Sequence, residues 1–292
     1  MRHLKAKGNY YFIGSYMVSK IFELEKKLAG QLVKLKEEFG LCAVKAEFEA
    51  EGASFRDLIK LRRLTAQQNV PLYLKIGGVE ALRDIKGALD IDVDGLIAPM
   101  VESPFGVVKF VGAVESVFGQ REFFKSINIE TREAVQQIDG ILDIARGKID
   151  NVTIGRTDLS HSYFDSKIEP DSPFTLDLIE RLSYKICSSG LSLTVGGSVT
   201  SENIRLFSER RERLGDRMSS METRKAVLPI DRILGQKNAL EEALRFEEYY
   251  LRFKLESEAW LSRADQERLA KLKTRLQLFL RRLLFIYPEI SL

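Results

Sequence analysis

A chain of 292 residues holds one large domain or two small ones, and 45% hydrophobic with 30% charged residues excludes a mainly disordered protein. The net charge of +3 is small for this length, so no nucleic-acid partner is expected. Cys42 and Cys187 lack metal-ligand spacing and fit a reduced, cytoplasmic protein, and no apolar run reaches the length of a signal peptide or a membrane span, so no membrane partner is expected either.

Residues 1–16 contain Tyr10-Tyr11-Phe12-Ile13-Gly14, a strand or an irregular cover. Residues 17–39 read as an amphipathic helix, because Ile21, Leu24, Leu28, Leu32, Leu35 and Phe39 recur at three- and four-residue steps before Gly40. An alternating rhythm follows. Strand-like runs at 41–47, 71–76, 95–101, 123–129, 152–154 and 191–195 alternate with helical patterns over 54–68, 79–89, 104–118, 132–146, 175–189 and from 201. A last strand candidate lies within 218–227. Seven such units, with an eighth from the N-terminal aromatic segment, predict an α/β fold of the (β/α)₈ TIM barrel type over 41–230, after an N-terminal segment and helix at 1–40. A doubly wound open sheet is the alternative, and no Gly-x-Gly-x-x-Gly follows a strand to favour it.

From 231 the rhythm stops, and 238–258 and 263–286 read as two helices, the second beginning at Ser262 with Asp265. A C-terminal helical hairpin over 231–292 is therefore expected, packing on the barrel or on a second subunit. Leu269, Leu272, Leu276, Phe279, Leu283 and Ile286 form a narrow apolar seam that favours a homo-oligomer.

Two strand ends carry carboxylates. Ser126-Ile-Asn-Ile-Glu130-Thr131 runs into a helix at Arg132, and Ile154-Gly155-Arg156-Thr157-Asp158 ends the next strand. Glu130 and Asp158 at adjacent strand ends converge on one face, and oxygen ligands of this kind suit Mg²⁺ or Mn²⁺. The bland alternative is that each caps the following helix. Glu102, at another strand end, is a ligand through water or a helix-start carboxylate.

Lys75 has glycines behind it and is a candidate contact for a substrate anion, or a salt-bridge partner of Glu47 or Glu49. Those two glutamates share a strand face, and either is a candidate general base or an ion-pair partner of Lys45. His161 follows Asp158 by three residues and is a candidate acid–base group or a plain loop histidine. Arg156 and Arg224 point to the barrel mouth if the strands are right, and suggest a small anionic substrate. Gly196-Gly197-Ser198 precedes a helix and can hold a phosphate or carboxylate, or is a tight turn.

Ala98-Pro99-Met100-Val101-Glu102-Ser103 resembles the Pro-Met-Val-Glu segment of the HpcH/HpaI aldolase and citrate lyase β-subunit superfamily. Ile127-Asn128-Ile129-Glu130-Thr131 resembles its next strand end, and Ile154 to Ser160 its Gly-Pro-x-Asp-Leu-Ser turn. The resemblance covers residues 41–230. It implies a (β/α)₈ barrel, C-terminal helices that often exchange between subunits, and a divalent metal on Glu130 and Asp158. It implies carbon–carbon bond chemistry through an enolate of a 2-oxo acid or an acyl-CoA thioester; a phosphorylated compound is a further option for the mouth. The chain departs from the family at three places: Ala50 stands where the aldolases have an acid–base His, Lys75 replaces a substrate-binding Arg, and Arg156 replaces Pro. These departures imply a different substrate or different proton chemistry. A Schiff-base aldolase using Lys75, Lys45 or Lys125, and an inactive scaffold or regulatory barrel, are the other expectations.

Overall fold

The computed structural model describes residues 4–286 except 49, 120, 215, 216 and 237, with side chains described over 20–279. The chain forms two compact units, one of residues 28–248 and one of residues 1–27 with 249–292.

The first unit is a closed barrel. β1 (Ala43–Glu47), β2 (Leu72–Lys75), β3 (Gly95–Ala98), β4 (Phe124–Ile129), β5 (Asn151–Gly155), β6 (Ser192–Gly196), β7 (Ser220–Glu222) and β8 (Ala226–Pro229) follow one another around it in sequence order. Strands β1 to β7 pair in parallel. β8 is antiparallel to both β7 and β1, with Met221 beside Leu228 and Val44 beside Ala226. The closing strand is thus the return arm of a short hairpin. It is not the N-terminal aromatic segment, which lies inside α1 (Leu4–Phe39). The three- and four-residue steps of the helix continue upstream through Tyr10, Ile13 and Met17, which is why that segment is helical.

Helices α2 (Phe55–Gln67), α3 (Leu82–Ile91), α4 (Pro104–Phe118), α5 (Arg132–Gln136), α6 (Ile138–Ala145), α7 (Arg156–His161), α8 (Pro173–Ser188), α9 (Ser201–Glu209), α10 (Arg211–Leu214) and α11 (Ile230–Gly235) connect and surround the strands. Ser54, Ser103, Thr131, Ser172 and Thr200 each accept a first-turn amide of the helix that follows. Such caps stop the chain at a defined point beyond the strand and fix the loops at one end of the barrel. Leu58, Leu61, Phe110, Ile141, Ile179 and Leu182 are buried on the helices.

The barrel interior is polar. Asn151 Nδ2 donates to Ser126 Oγ at 2.8 Å, Thr194 Oγ1 donates to Asn151 Oδ1 at 3.0 Å, and Thr194 and Ser220 hydroxyls lie 2.7 Å apart. Barrels of this type usually fill that space with Val, Ile and Leu. Here the Ser126, Asn151, Thr194 and Ser220 side chains find partners across strands, which offsets the cost of burying them.

In the second unit, Lys20 pairs with Glu256. The helix that ends there, α12, runs unbroken over Ala239–Ile286, and its residues 239–248 belong to the barrel unit. The expected hairpin is therefore one helix, and the expected boundary at 231 falls at 248. Ser262 does not cap a new helix; its hydroxyl donates to the carbonyl of Ala259 within α12. Leu269, Leu272, Leu276 and Phe279 of the seam are exposed, while the side chains of Leu283 and Ile286 lie outside the described residues. Among the described residues no helix is long and apolar enough to cross a membrane.

Candidate active site

A cavity of about 460 Å³ lies at the C-terminal end of the parallel strands. β1 supplies Lys45 and Glu47, β2 supplies Lys75, and β4 supplies Asn128 with Glu130 just beyond it. Gly155, Thr157 and Asp158 come from the end of β5 and α7, Gly197 and Ser198 from the loop after β6, and Glu222 and Arg224 from β7 and its turn. Leu244 and Glu247 come from α12. Five carboxyl groups face three cations in this lining.

Glu130 is 2% exposed and held from two sides. Its Oε1 accepts the Met100 N–H at 2.9 Å, and its Oε2 accepts the Asn128 amide at 3.0 Å. Met100 has a φ of 50°, a conformation that costs energy for a residue with a side chain, in the peptide that delivers this N–H. Gly155 leaves room for the carboxylate, since a Cβ there would stand 2.6 Å from Glu130 Oε2. Burial pushes the Glu130 carboxyl up, against the pull of Lys75, Met100 and Asn128, and the nearby Asp158 charge adds to the rise.

The residues present fit a hard divalent cation. Asn128 Oδ1 is buried with no hydrogen-bond partner among the described residues, in the same lining as Glu130 and Asp158. Mg²⁺ is commonly held by one or two carboxylates and completes its shell with water and substrate oxygens. Among the described residues no group of three or more His, Cys, Asp and Glu forms.

Lys45 and Glu222 form an ion pair in the lining. Lys45 Nζ stands 2.6 Å from Glu222 Oε1 and 3.5 Å from Glu47 Oε1, and all three residues are buried. Burial alone would lower the Lys45 pKa; the Glu222 and Glu47 charges outweigh it and hold the ammonium form. Glu222 is absent from the residues expected from the sequence. Its signal there is only a glutamate in Ser220-Met-Glu-Thr, within the last strand candidate at 218–227, where no alternation long enough to show its direction is present.

Other expected residues lie elsewhere. Arg156 is fully buried and does not line the cavity. Its guanidinium donates to the Gly196 carbonyl at 3.2 Å, to the Gly197 carbonyl, to Asn203 Oδ1 at 3.1 Å, and to Asp171. It stitches the β6 loop to α9 and is a structural arginine, not a mouth arginine. His161 ends α7 as an exposed residue outside the lining, and Glu102 is exposed and outside it too. Glu49 lies outside the described residues.

Gly196 is also outside the lining; a Cβ on it would stand 2.8 Å from Glu222 Cγ. Gly197, at φ +89°, lets the β6 loop approach α7, where a Cβ would meet the Thr157 nitrogen at 2.8 Å. The start of α9 beyond it is closed by its own capping box between Thr200 and Asn203. Ser198 remains in the lining, its hydroxyl 3.0 Å from that of Thr157.

No family model and no curated protein matches the chain by sequence. Solved structures match it by fold. An HpcH/HpaI aldolase from Desulfitobacterium hafniense DCB-2 shares 20% identity over 64% of this chain and 79% of its own, with a TM-score of 0.52. A citrate lyase from Burkholderia xenovorans LB400 shares 13% over 82% of this chain and 79% of its own, with a TM-score of 0.54. A malate synthase from Haloferax volcanii shares 14% over 67% of this chain and 64% of its own, with a TM-score of 0.51. The chain thus has the barrel fold of HpcH/HpaI aldolase and citrate lyase family structures, at sequence identities of 20% and 13% to the two.

Proposed function

We propose that the chain is a divergent member of the HpcH/HpaI aldolase and citrate lyase superfamily, and that it makes or breaks a carbon–carbon bond through an enolate, with a divalent cation. The observation that carries this is the lining shared by Glu130, Asp158 and the unpartnered Asn128 Oδ1. Those three oxygen-bearing side chains would hold Mg²⁺ or Mn²⁺. When bound, the cation supplies Lewis acidity toward the oxygen on which negative charge develops.

The chain's own residues do the rest. Lys75 acts on Glu130 electrostatically within one cavity and can steady the substrate's negative oxygen. Arg224, exposed at the rim, and Ser198 orient the anionic end of a 2-oxo acid, an acyl-CoA or a phosphorylated compound. Glu47, 3.5 Å from Lys45 Nζ, adds a further negative group to the lining. Lys45 itself, charged and paired with Glu222, is a poor Schiff-base nucleophile, which counts against Lys45 as the lysine of a Schiff-base aldolase. The proposal carries with it self-association and a cytoplasmic location.

The test is exchange of substrate C–H for deuterium, followed by proton NMR with Mg²⁺ or Mn²⁺ over pyruvate, oxaloacetate and other 2-oxo acids. Exchange that needs both the cation and Asp158 is the expected result. Undiminished exchange in a metal-free Glu130→Ala/Asp158→Ala protein would sink the proposal. Absence of both exchange and Mn²⁺ binding in the parent protein would favour a scaffold barrel.

A further inference from the structure

Among the described residues the cavity lining contains no His, Cys or Tyr, so its carboxyl groups are the side chains best suited to carry a proton. Most of its carboxylates are engaged. Glu47 and Glu222 share Lys45, Glu130 accepts two N–H groups, and Asp158 is the second carboxylate of the proposed cation site.

Glu247 stands apart from these. Along the barrel-unit part of α12, Ala239, Leu240, Ala243 and Phe246 are buried at one-, three- and four-residue spacings. The neighbouring stripe, Leu244 and Glu247 three residues apart, is turned to the cavity. Glu247 is half-buried, shares the lining with Ala50 and Arg224, and makes no hydrogen bond or close ion pair among the described residues. A carboxyl group that enters a cavity without a partner keeps its proton-transfer capacity for whatever enters beside it.

We infer that Glu247, delivered by α12, is the general acid–base group of this cavity. This rests on the enolate reading above. In the protonating direction the Glu247 O–H bond breaks, the enolate's carbon–carbon π pair forms the new C–H bond, and the carbonyl is restored. The Glu247 carboxylate left behind regains its proton from water at the cavity mouth; in the reverse direction it removes the same proton.

The surroundings suit this role. Burial pushes the Glu247 carboxyl up, and the charge of Glu51 adds to that, while Lys225, Arg224 and Lys45 pull it down without cancelling the rise. The group therefore keeps its proton to a higher pH than an ordinary glutamate, the direction that suits a general acid.

The experiment uses the full chain with Mn²⁺ and pyruvate. The Glu247 carboxyl is followed by ¹³C NMR against pH, its resonance identified by its loss in Glu247→Gln. A midpoint above the ordinary 4.5 is expected. Glu247→Gln should exchange the pyruvate methyl protons more slowly by about 10²-fold, with Mn²⁺ affinity unchanged, and Glu247→Asp should recover part of the rate. An ordinary midpoint, or exchange in Glu247→Gln equal to the parent's, overturns the inference and leaves the enolate reading standing. A parent protein that exchanges no substrate proton overturns the enolate reading, and this inference with it.

Discussion

Lys45 Nζ lies 2.6 Å from Glu222 Oε1, joining β1 to β7 within the cavity lining. The pair bridges strands separated around the barrel by β8, and Glu222 also lines a smaller cavity of about 170 Å³, beside Ser126, Thr153 and Thr194 and the apolar Ile97 and Phe124. Glu222 is thus shared by the two cavities.

Removing one half of that pair is expected to be costly. Lys45→Met leaves Glu222 and Glu47 buried without their cation, and stability should fall by about 3–5 kcal/mol. Lys45→Met/Glu222→Leu removes both charges and should recover most of the loss. Urea denaturation of the two proteins checks this; a double variant as unstable as the single one would show that the charge itself is not the cause. The pH dependence follows from the direction of the shift. The folded Lys45 pKa lies above its ordinary 10.5, so the stabilisation is complete below that value and is lost as the pH climbs through the folded one.

Gly155→Ala tests the seating of Glu130. The glycine has an ordinary φ of −86°, so the backbone accepts alanine, but the new Cβ would stand 2.6 Å from Glu130 Oε2. The carboxylate must move off its Asn128 and Met100 donors. Mn²⁺ affinity, read by calorimetry, should drop by about tenfold or more, while the folded circular-dichroism spectrum is kept. Unchanged affinity would mean that Glu130 does not hold the cation from this position.

Arg156→Lys separates a structural arginine from a substrate-binding one. Lysine cannot reproduce a fork that serves Gly196, Gly197, Asn203 and Asp171 at once. A loss of about 3 kcal/mol or more in denaturant unfolding is expected, because buried acceptors are left unmet. A stable Arg156→Lys protein with only weakened substrate binding would return Arg156 to the mouth.

Much of this arrangement is legible in the sequence, and the exceptions have physical causes. β1 to β6 announce themselves because each is a short apolar run between amphipathic helices, and Glu130 and Asp158 are found because strand ends can be located from that rhythm. β7 and β8 break it. No helix separates them, and Glu222 points inward from a strand of three residues, too short to display alternation. Arg156 sits at a strand end as expected, but the chain turns at once into α7, and its side chain goes behind the β6 loop. Glu247 lies more than a hundred residues from Glu47 and Glu130, and only the closure of the fold brings it into one lining with them. Ser262 followed by Asp265 carries a capping pattern that is also compatible with a helix interior, where a serine hydroxyl can bond back to its own helix.

Glu130→Gln opposes stability to function at a single atom. Glu130 is buried, and burial raises its pKa above the ordinary 4.5. A carboxyl whose folded pKa is raised binds its proton more tightly in the folded state, so it costs the fold stability once the pH rises from 4.5 through the folded value. At neutral pH glutamine removes that cost. Its oxygen can still accept from one of the two present donors, and its amide can donate to Asn128 Oδ1, which has no partner now, if the Asn128 amide turns. Glu130→Gln is therefore expected to be more stable than the parent at pH 7 without metal, by about 1 kcal/mol. Adding Mn²⁺ reverses the order. A cation at a hundred times its dissociation constant stabilises the parent by about 2.7 kcal/mol, and the glutamine protein should gain almost none of it. Thermal unfolding of both proteins with and without Mn²⁺ reads the two effects together. A glutamine protein that is less stable without metal would mean that Glu130 is held chiefly as a structural carboxylate. Equal Mn²⁺ stabilisation in both would move the cation away from Glu130 altogether.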